Sequence, residues 1–189
     1  MSMKIIINNN ENLVIINKSK FIGIIKKVYS KEEITDILDN TRKNYSDATH
    51  ICYAYILPNI EKYNDDGEPD GTAGIPILDV LKKNNLCYTI AIVIRYFGGI
   101  KLGSNGLIRA YSNTISSLIK DNIKDIETGY LIKISENYNN SDQLDYLLKN
   151  ETIIKKDYQD KITILVIVKK KTLENLSNVN YEIIRETII

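Results

Sequence analysis

Tyr63-Asn-Asp-Asp-Gly-Glu-Pro-Asp-Gly-Thr-Ala-Gly74 and Arg95-Tyr-Phe-Gly-Gly-Ile-Lys-Leu-Gly-Ser-Asn-Gly-Leu-Ile-Arg-Ala-Tyr111 are the two segments around which the rest of the chain is organised. Seven of the nine glycines in the chain fall between Gly67 and Gly106. Glycine sacrifices backbone entropy inside a helix or strand, so such a density marks loops that need positive φ or close backbone approach. Charge is segregated in the same region. Glu61, Asp65, Asp66, Glu68 and Asp70 crowd the first loop, whereas Val80 to Lys120 holds Lys82, Lys83, Arg95, Lys101, Arg109 and Lys120 and no acidic residue. An acidic loop and a basic, glycine-rich loop flanking one apolar element read as a site.

Around that centre, the apolar run Ile90-Ala-Ile-Val-Ile94 within Cys87–Tyr96 predicts a central strand buried on both faces. Upstream, 12–17 and 19–29 read as two strands of a meander. Ser30-Lys-Glu-Glu33 is a capping box opening a helix with Ile34, Ile37 and Leu38 as its apolar stripe. Thr49–Leu57 reads as a third strand, and Thr72 as the N-cap of a short helix reaching about Asn84. If the strands at 49–57 and 87–96 run parallel around that helix, both loops leave one sheet edge. His50 is then expected near the other edge, ~20 Å away at ~3.3 Å per residue. A long helix follows to about Lys120, with Leu107, Ile108, Ala110, Tyr111, Ile115, Leu118 and Ile119 on one side. Arg109, Ser112, Asn113, Ser116 and Lys120 share the other.

After a polar connector at Asp121–Glu127 the pattern restarts as strand, helix, strand, strand, helix, strand. This βαββαβ order is the ferredoxin-like arrangement. Two domains are expected, over 1–122 and 127–189, in an α/β (α+β) chain. A 43% hydrophobic fraction can build their cores, and a net charge of +1 excludes a globally basic nucleic-acid binder. Cys52 and Cys87 read as buried thiols of a reducing compartment. No uninterrupted apolar stretch is long enough for a membrane-spanning helix, and the N-terminus lacks the pattern of a secretory leader. A cytoplasmic location is expected.

Several chemistries fail on spacing. Gly98 and Gly103 have Walker-A separation, but Ser104-Asn105 stands where Lys-Ser/Thr is required. Asp65, Asp66 and Glu68 either pair with the cations of the second loop or hold Mg²⁺ with the help of waters and phosphates; they do not fit an EF-hand. His50, the one histidine, is a hydrogen-bonded core residue or a general acid/base. The glycine-rich turn into the long helix exposes N–H groups suited to an anion, with Lys101 adding charge.

Those residues resemble the IMPACT/YigZ family. The likeness rests on Ala48-Thr-His-Ile-Cys-Tyr-Ala-Tyr55, Asp65 to Gly74, Arg95 to Gly103 and Gly106-Leu-Ile-Arg-Ala-Tyr111, with His50, Thr72 and Gly74 as motif positions. Asp70, Ile75 and Ser104-Asn105 depart from the family pattern. The resemblance implies a two-layer first domain similar to domain 2 of ribosomal protein S5, containing a parallel strand–helix–strand unit with a left-handed crossover. It also implies that the second domain is similar to the C-terminal ferredoxin-like domains of elongation factor G.

Two functions stay open. One is a non-enzymatic, translation-linked regulator binding RNA or the ribosome, with no DNA sequence specificity. It would use Arg95, Gly98, Gly99, Lys101, Gly103, Gly106, Arg109, Asn113 and Lys120. The other is an Mg-dependent enzyme acting on a phosphorylated small molecule held between the two loops.

Overall fold

The computed structural model describes residues 3–189. The chain divides into two compact units, residues 1–125 and 126–189. No helix among the described residues is long and apolar enough to cross a membrane.

The first unit is built on a five-stranded antiparallel sheet. Its strands are β2 (Asn10–Ile16), β3 (Ser19–Lys27), β4 (His50–Leu57), β5 (Ile60–Asn64) and β6 (Thr89–Tyr96), in the order β2-β3-β6-β4-β5. The central strand is β6, and its residues from Thr89 to Arg95 are all buried. Alternation divides them. Ala91 and Val93 join Phe21, Cys52 and Ala54 against helices α2 (Gly74–Lys83) and α3 (Gly103–Ile119). Ile90, Ile92 and Ile94 face the other way, with Ile34 and Leu38 of α1 (Lys31–Asn44). Helices therefore cover both faces, and α1 extends the two-layer arrangement that the resemblance implies. The Ser30 cap forms: Ser30 Oγ accepts from Glu33 N at 3.2 Å, and Glu33 Oε2 accepts from Tyr29 N at 2.8 Å.

The expected strand directions need correction. β4 pairs antiparallel with β6, His50 lying opposite Arg95 and Ile56 opposite Thr89. The cause is β5. After β4 the chain turns at Pro58-Asn59 and runs back along the sheet edge, Leu57 pairing with Ile60 and Tyr53 with Asn64. The acidic loop thus begins at the His50 end of β4, and β6 ends there too. The loops do meet, but by reversal of the chain. The strands running the same way around α2 are β5 and β6, with β4 between them.

Two further strands, β1 (Met3–Ile6) and β7 (Ile123–Ile126), pair with each other. Asn122 ties this seam: its carbonyl accepts from Ile7 N at 2.8 Å, and its side chain exchanges two hydrogen bonds with the Asn8 backbone at 2.9 Å each.

In the second unit, β8 (Thr128–Glu136), β9 (Thr152–Tyr158), β10 (Ile162–Lys169) and β11 (Tyr181–Ile188) form an antiparallel sheet. Their order is β11-β8-β10-β9, that of a ferredoxin-like fold. Helices α4 (Ser141–Leu147) and α5 (Lys170–Asn175) follow β8 and β10, as the expected βαββαβ order requires. Ile132, Ile134, Ile164, Val166, Leu144, Leu148 and Leu176 form the core.

Candidate nucleic-acid interface

At the end of the sheet where β4 begins and β6 ends lies a cleft of about 400 Å³. Thr49, His50, Glu68, Pro69, Arg95, Phe97, Lys101, Leu102, Gly103, Ser104 and Leu107 line it. Every lining residue comes from β4 and the residue before it, the acidic loop, β6, or the glycine loop with the start of α3.

Hydrogen bonds to distant residues fix the glycine loop. Phe97 N donates to Thr49 Oγ1 at 3.0 Å, and Gly98 N donates to Ser19 Oγ at 3.1 Å. Gly98 has to be glycine, because a Cβ there would lie 2.1–2.4 Å from the Lys18–Ser19 backbone. Gly99 and Gly103 have φ of +83° and +68° and open space around them, so they shape the turn without packing against anything. α3 then starts at Gly103 behind Leu102, with no side chain capping its first N–H groups. Gly106 meets only Leu102 within its first turn.

The acidic loop is held mainly by its own carboxylates. Asp65 Oδ1 accepts from Ala73 N at 3.0 Å and Gly74 N at 2.7 Å, while Oδ2 accepts from Gly71 N at 3.1 Å. Asp65 therefore caps α2 from eight residues upstream. Thr72, expected in that role, turns its hydroxyl to Pro69 O at 2.6 Å. The N-cap position itself is Ala73, whose methyl cannot accept a bond, so the orphan N–H groups are left to a residue folded back over them. Asp66 Oδ2 accepts from Ile51 N at 2.6 Å. No group of three or more His, Cys, Asp or Glu among the described residues is arranged to hold a metal.

Beneath the cleft lies a buried polar network. Glu68 Oε1 accepts from Arg95 Nη1 at 2.5 Å and from the Tyr111 hydroxyl at 2.7 Å. Glu68 is 7% exposed and Arg95 5%. The guanidinium sits between the Phe21 and Phe97 rings, 5.4 Å from each centroid, and the π faces support its charge. Its Nε is the one buried side-chain N or O without a partner among the described residues. Arg95 is thus a structural cation held by Glu68, not a free contact for phosphate. The Tyr111 hydroxyl also lies 3.4 Å from Cys52 Sγ, and the Cys52 thiol is 3.0 Å from the Asp65 carbonyl. Burial pushes the Cys52 thiol up to about 12, with Glu68, Asp66 and Asp65 adding to the rise. Burial likewise raises the Tyr111 phenol, followed by Cys52 and Glu68. Both stay protonated at neutral pH.

His50 belongs to this cleft and is not at the far edge. Its Nδ1 lies 2.8 Å from the Asp66 carbonyl oxygen, and its Nε2 is 3.9 Å from Glu68 Oε2. The mostly exposed edge strand β5, which the sequence pattern does not announce, accounts for the difference.

Lys101 is exposed at the cleft. Arg109 and Asn113 are exposed along α3, and Arg109 Nε donates to Asn105 O at 3.2 Å. Lys120 closes the far end of this 17-residue helix, about 25 Å from its start at ~1.5 Å per residue. The expected cations are therefore a line and not a cluster. Ile108, expected on the buried side, is 38% exposed, because it faces an open groove between α2 and α3 beside Ile75. Phe97, whose ring is 46% exposed at the cleft, stands out by neither charge nor backbone freedom and so gives no signal in the sequence pattern.

Residues 17–119 match the model of the Impact N-terminal domain. The IMPACT family member YvyE of Bacillus subtilis is 49% identical over 109 residues, which is 56% of this chain and 50% of that protein. The chain thus spans half the length of that relative. An IMPACT family member of Haemophilus influenzae is 31% identical over 173 residues, 86% of this chain and 83% of the relative. A crystal structure of a hypothetical protein superposes with a TM-score of 0.66 at 26% identity and covers 98% of both chains. Domain match and relatives together place the chain in the IMPACT family.

Proposed function

We propose that the chain is a translation-linked regulator that binds single-stranded RNA, free or on the ribosome, through the cleft of its first unit. One observation carries the reading. Lys101, the uncapped start of α3 and the open face of Phe97 border one cleft, whose one lining carboxylate, Glu68, is already paired with Arg95. A helix N-terminus beside a lysine suits a phosphate, and a half-exposed phenylalanine gives a neighbouring base a surface to stack on. The serines, amides and cations along α3 offer the rest of the strand a track without like charge.

Anisotropy titration with labelled single-stranded RNA at several salt concentrations tests it. Lys101 and Arg109 together give a log–log salt slope of about −1.4, at ~0.7 per phosphate contact. Lys101→Ala flattens the slope by about 0.7. Phe97→Ala weakens binding by ~1–3 kcal/mol and leaves the slope unchanged. Absence of binding at low salt, with Mg²⁺-dependent phosphate release from a metabolite panel, would transfer the site to an enzyme.

A further inference from the structure

With the imidazole neutral, two hydrogen-bond acceptors face each other in the cleft, His50 Nε2 and Glu68 Oε2, 3.9 Å apart. The Asp66 carbonyl can only accept, so its 2.8 Å contact places the neutral ring's proton of His50 on Nδ1. This leaves Nε2 as a lone pair. Gly67, at φ +82°, lies beside the ring; a Cβ there would be 3.7 Å from Nδ1. Nε2 lies 3.9 Å from Glu68 Oε2, beyond hydrogen-bond reach. Glu68 Oε1 takes both Arg95 and Tyr111, whereas Oε2 accepts no hydrogen bond from the described residues. The His50 side chain keeps 19% of its surface exposed, so the pair can be reached from the cleft, while that of Glu68 keeps 2%. Each acceptor lacks a hydrogen that a bound molecule could supply.

We infer that His50 Nε2, backed by Glu68, is a recognition point for a ribose 2′-hydroxyl, through which the cleft selects RNA over DNA. The inference rests on the RNA-binding reading above. Lys101 and the start of α3 suit a phosphate, and on a nucleic-acid strand the donor group next to a phosphate is the 2′-hydroxyl. A strand lacking that hydroxyl covers the Nε2 lone pair without giving it a donor. An unmet polar group of this kind is what makes such a site discriminate.

Three oligonucleotides of one sequence would be titrated into the intact protein at low salt: RNA, its deoxyuridine-containing DNA counterpart, and the 2′-O-methyl RNA. RNA is expected to bind about 3- to 10-fold more tightly than either of the others, the value of one neutral hydrogen bond. His50→Asn retains a donor where Nδ1–H meets Asp66 and removes the Nε2 acceptor. It is expected to bring RNA and DNA to equal affinity, erasing the 3- to 10-fold preference. Equal binding of the three oligonucleotides by the unmodified protein overturns the inference and leaves RNA binding standing. Failure of all three to bind removes the underlying reading as well. An RNA preference that survives in His50→Asn, with the thermal transition intact, assigns the selection to another group and overturns the role of His50.

Discussion

Replacing Glu68 tests whether the network under the cleft is a structural pair. Glu68 accepts two hydrogen bonds on one oxygen, from Arg95 at 2.5 Å and Tyr111 at 2.7 Å, in a side chain almost wholly out of solvent. Glu68→Leu removes the acceptor of both bonds and leaves a buried guanidinium without a counter-charge. Breaking one half of a buried pair costs ~3–5 kcal/mol. Arg95→Met strands the carboxylate instead, at a similar cost of ~3–5 kcal/mol. The double variant removes both charges and restores an apolar contact with Phe21 and Phe97, leaving only the Tyr111 hydroxyl without its acceptor. That residue of cost is ~1–3 kcal/mol, so the double variant is at least as stable as either single one. Urea unfolding of the intact chain, followed by circular dichroism, reads the effect. With an m-value of ~2 kcal/mol per molar, each single variant lowers the midpoint of the first unit by about 2 M, and the double variant recovers at least half of that loss. Additive losses in the double variant would refute the pairing argument, as would single variants within ~1 kcal/mol of the parent.

Asp65→Ala deprives Gly71, Ala73 and Gly74 of one shared carboxylate and is expected to cost ~2–3 kcal/mol, with hydrogen exchange accelerated first in the opening turn of α2. Gly98→Ala drives a methyl into the Lys18–Ser19 backbone and should lower stability by ~1–3 kcal/mol, again read by urea unfolding. The raised Cys52 thiol gives an alkaline prediction. Its folded-state value of about 12 exceeds its ordinary value near 9, so the stability it contributes is complete below pH 9 and is lost as pH rises toward 12. At ~1.36 kcal/mol per pH unit the loss approaches ~4 kcal/mol, and Cys52→Ala should abolish the part that sets in before tyrosines ionise near pH 10. A chain of residues 126–189 should unfold cooperatively on its own, as judged by a sigmoidal thermal transition.

Much of the architecture could be read from residue pattern because pattern and burial coincide. The Ile90–Ile94 run is apolar because β6 is covered on both faces, and the second unit alternates because its strands have distinct inner and outer sides. What stayed hidden was β5. Ile60-Glu-Lys-Tyr-Asn64 lies at a sheet edge with four of its five residues exposed, so it carries no apolar signal. Missing it reversed the inferred direction of β6 against β4 and misplaced His50. β1, four residues long, was missed as well. The site was legible as composition: two loops of opposite charge, dense in glycine. Its wiring was not, because the partners are far apart in sequence. Arg95 and Glu68 are 27 residues apart, and Tyr111 and Cys52 are 59 apart. The helix rule that nominates Thr72 as a cap is local, whereas Asp65 reaches the same N–H groups from across the loop.

The Asn8–Asn122 seam has a consequence for how the first unit is made. Its two partners are separated by 114 positions, and β1 completes its pairing only with β7. During synthesis β1 can therefore bond to residues 85–87 through Lys4 first, but its seam with β7 waits for nearly the whole unit to be made. Pairings so distant in sequence are slow to form and leave strand edges open in the interval. Shortening that wait by joining the two ends and opening the chain at a surface turn such as Pro58-Asn59 should speed refolding without altering the cleft.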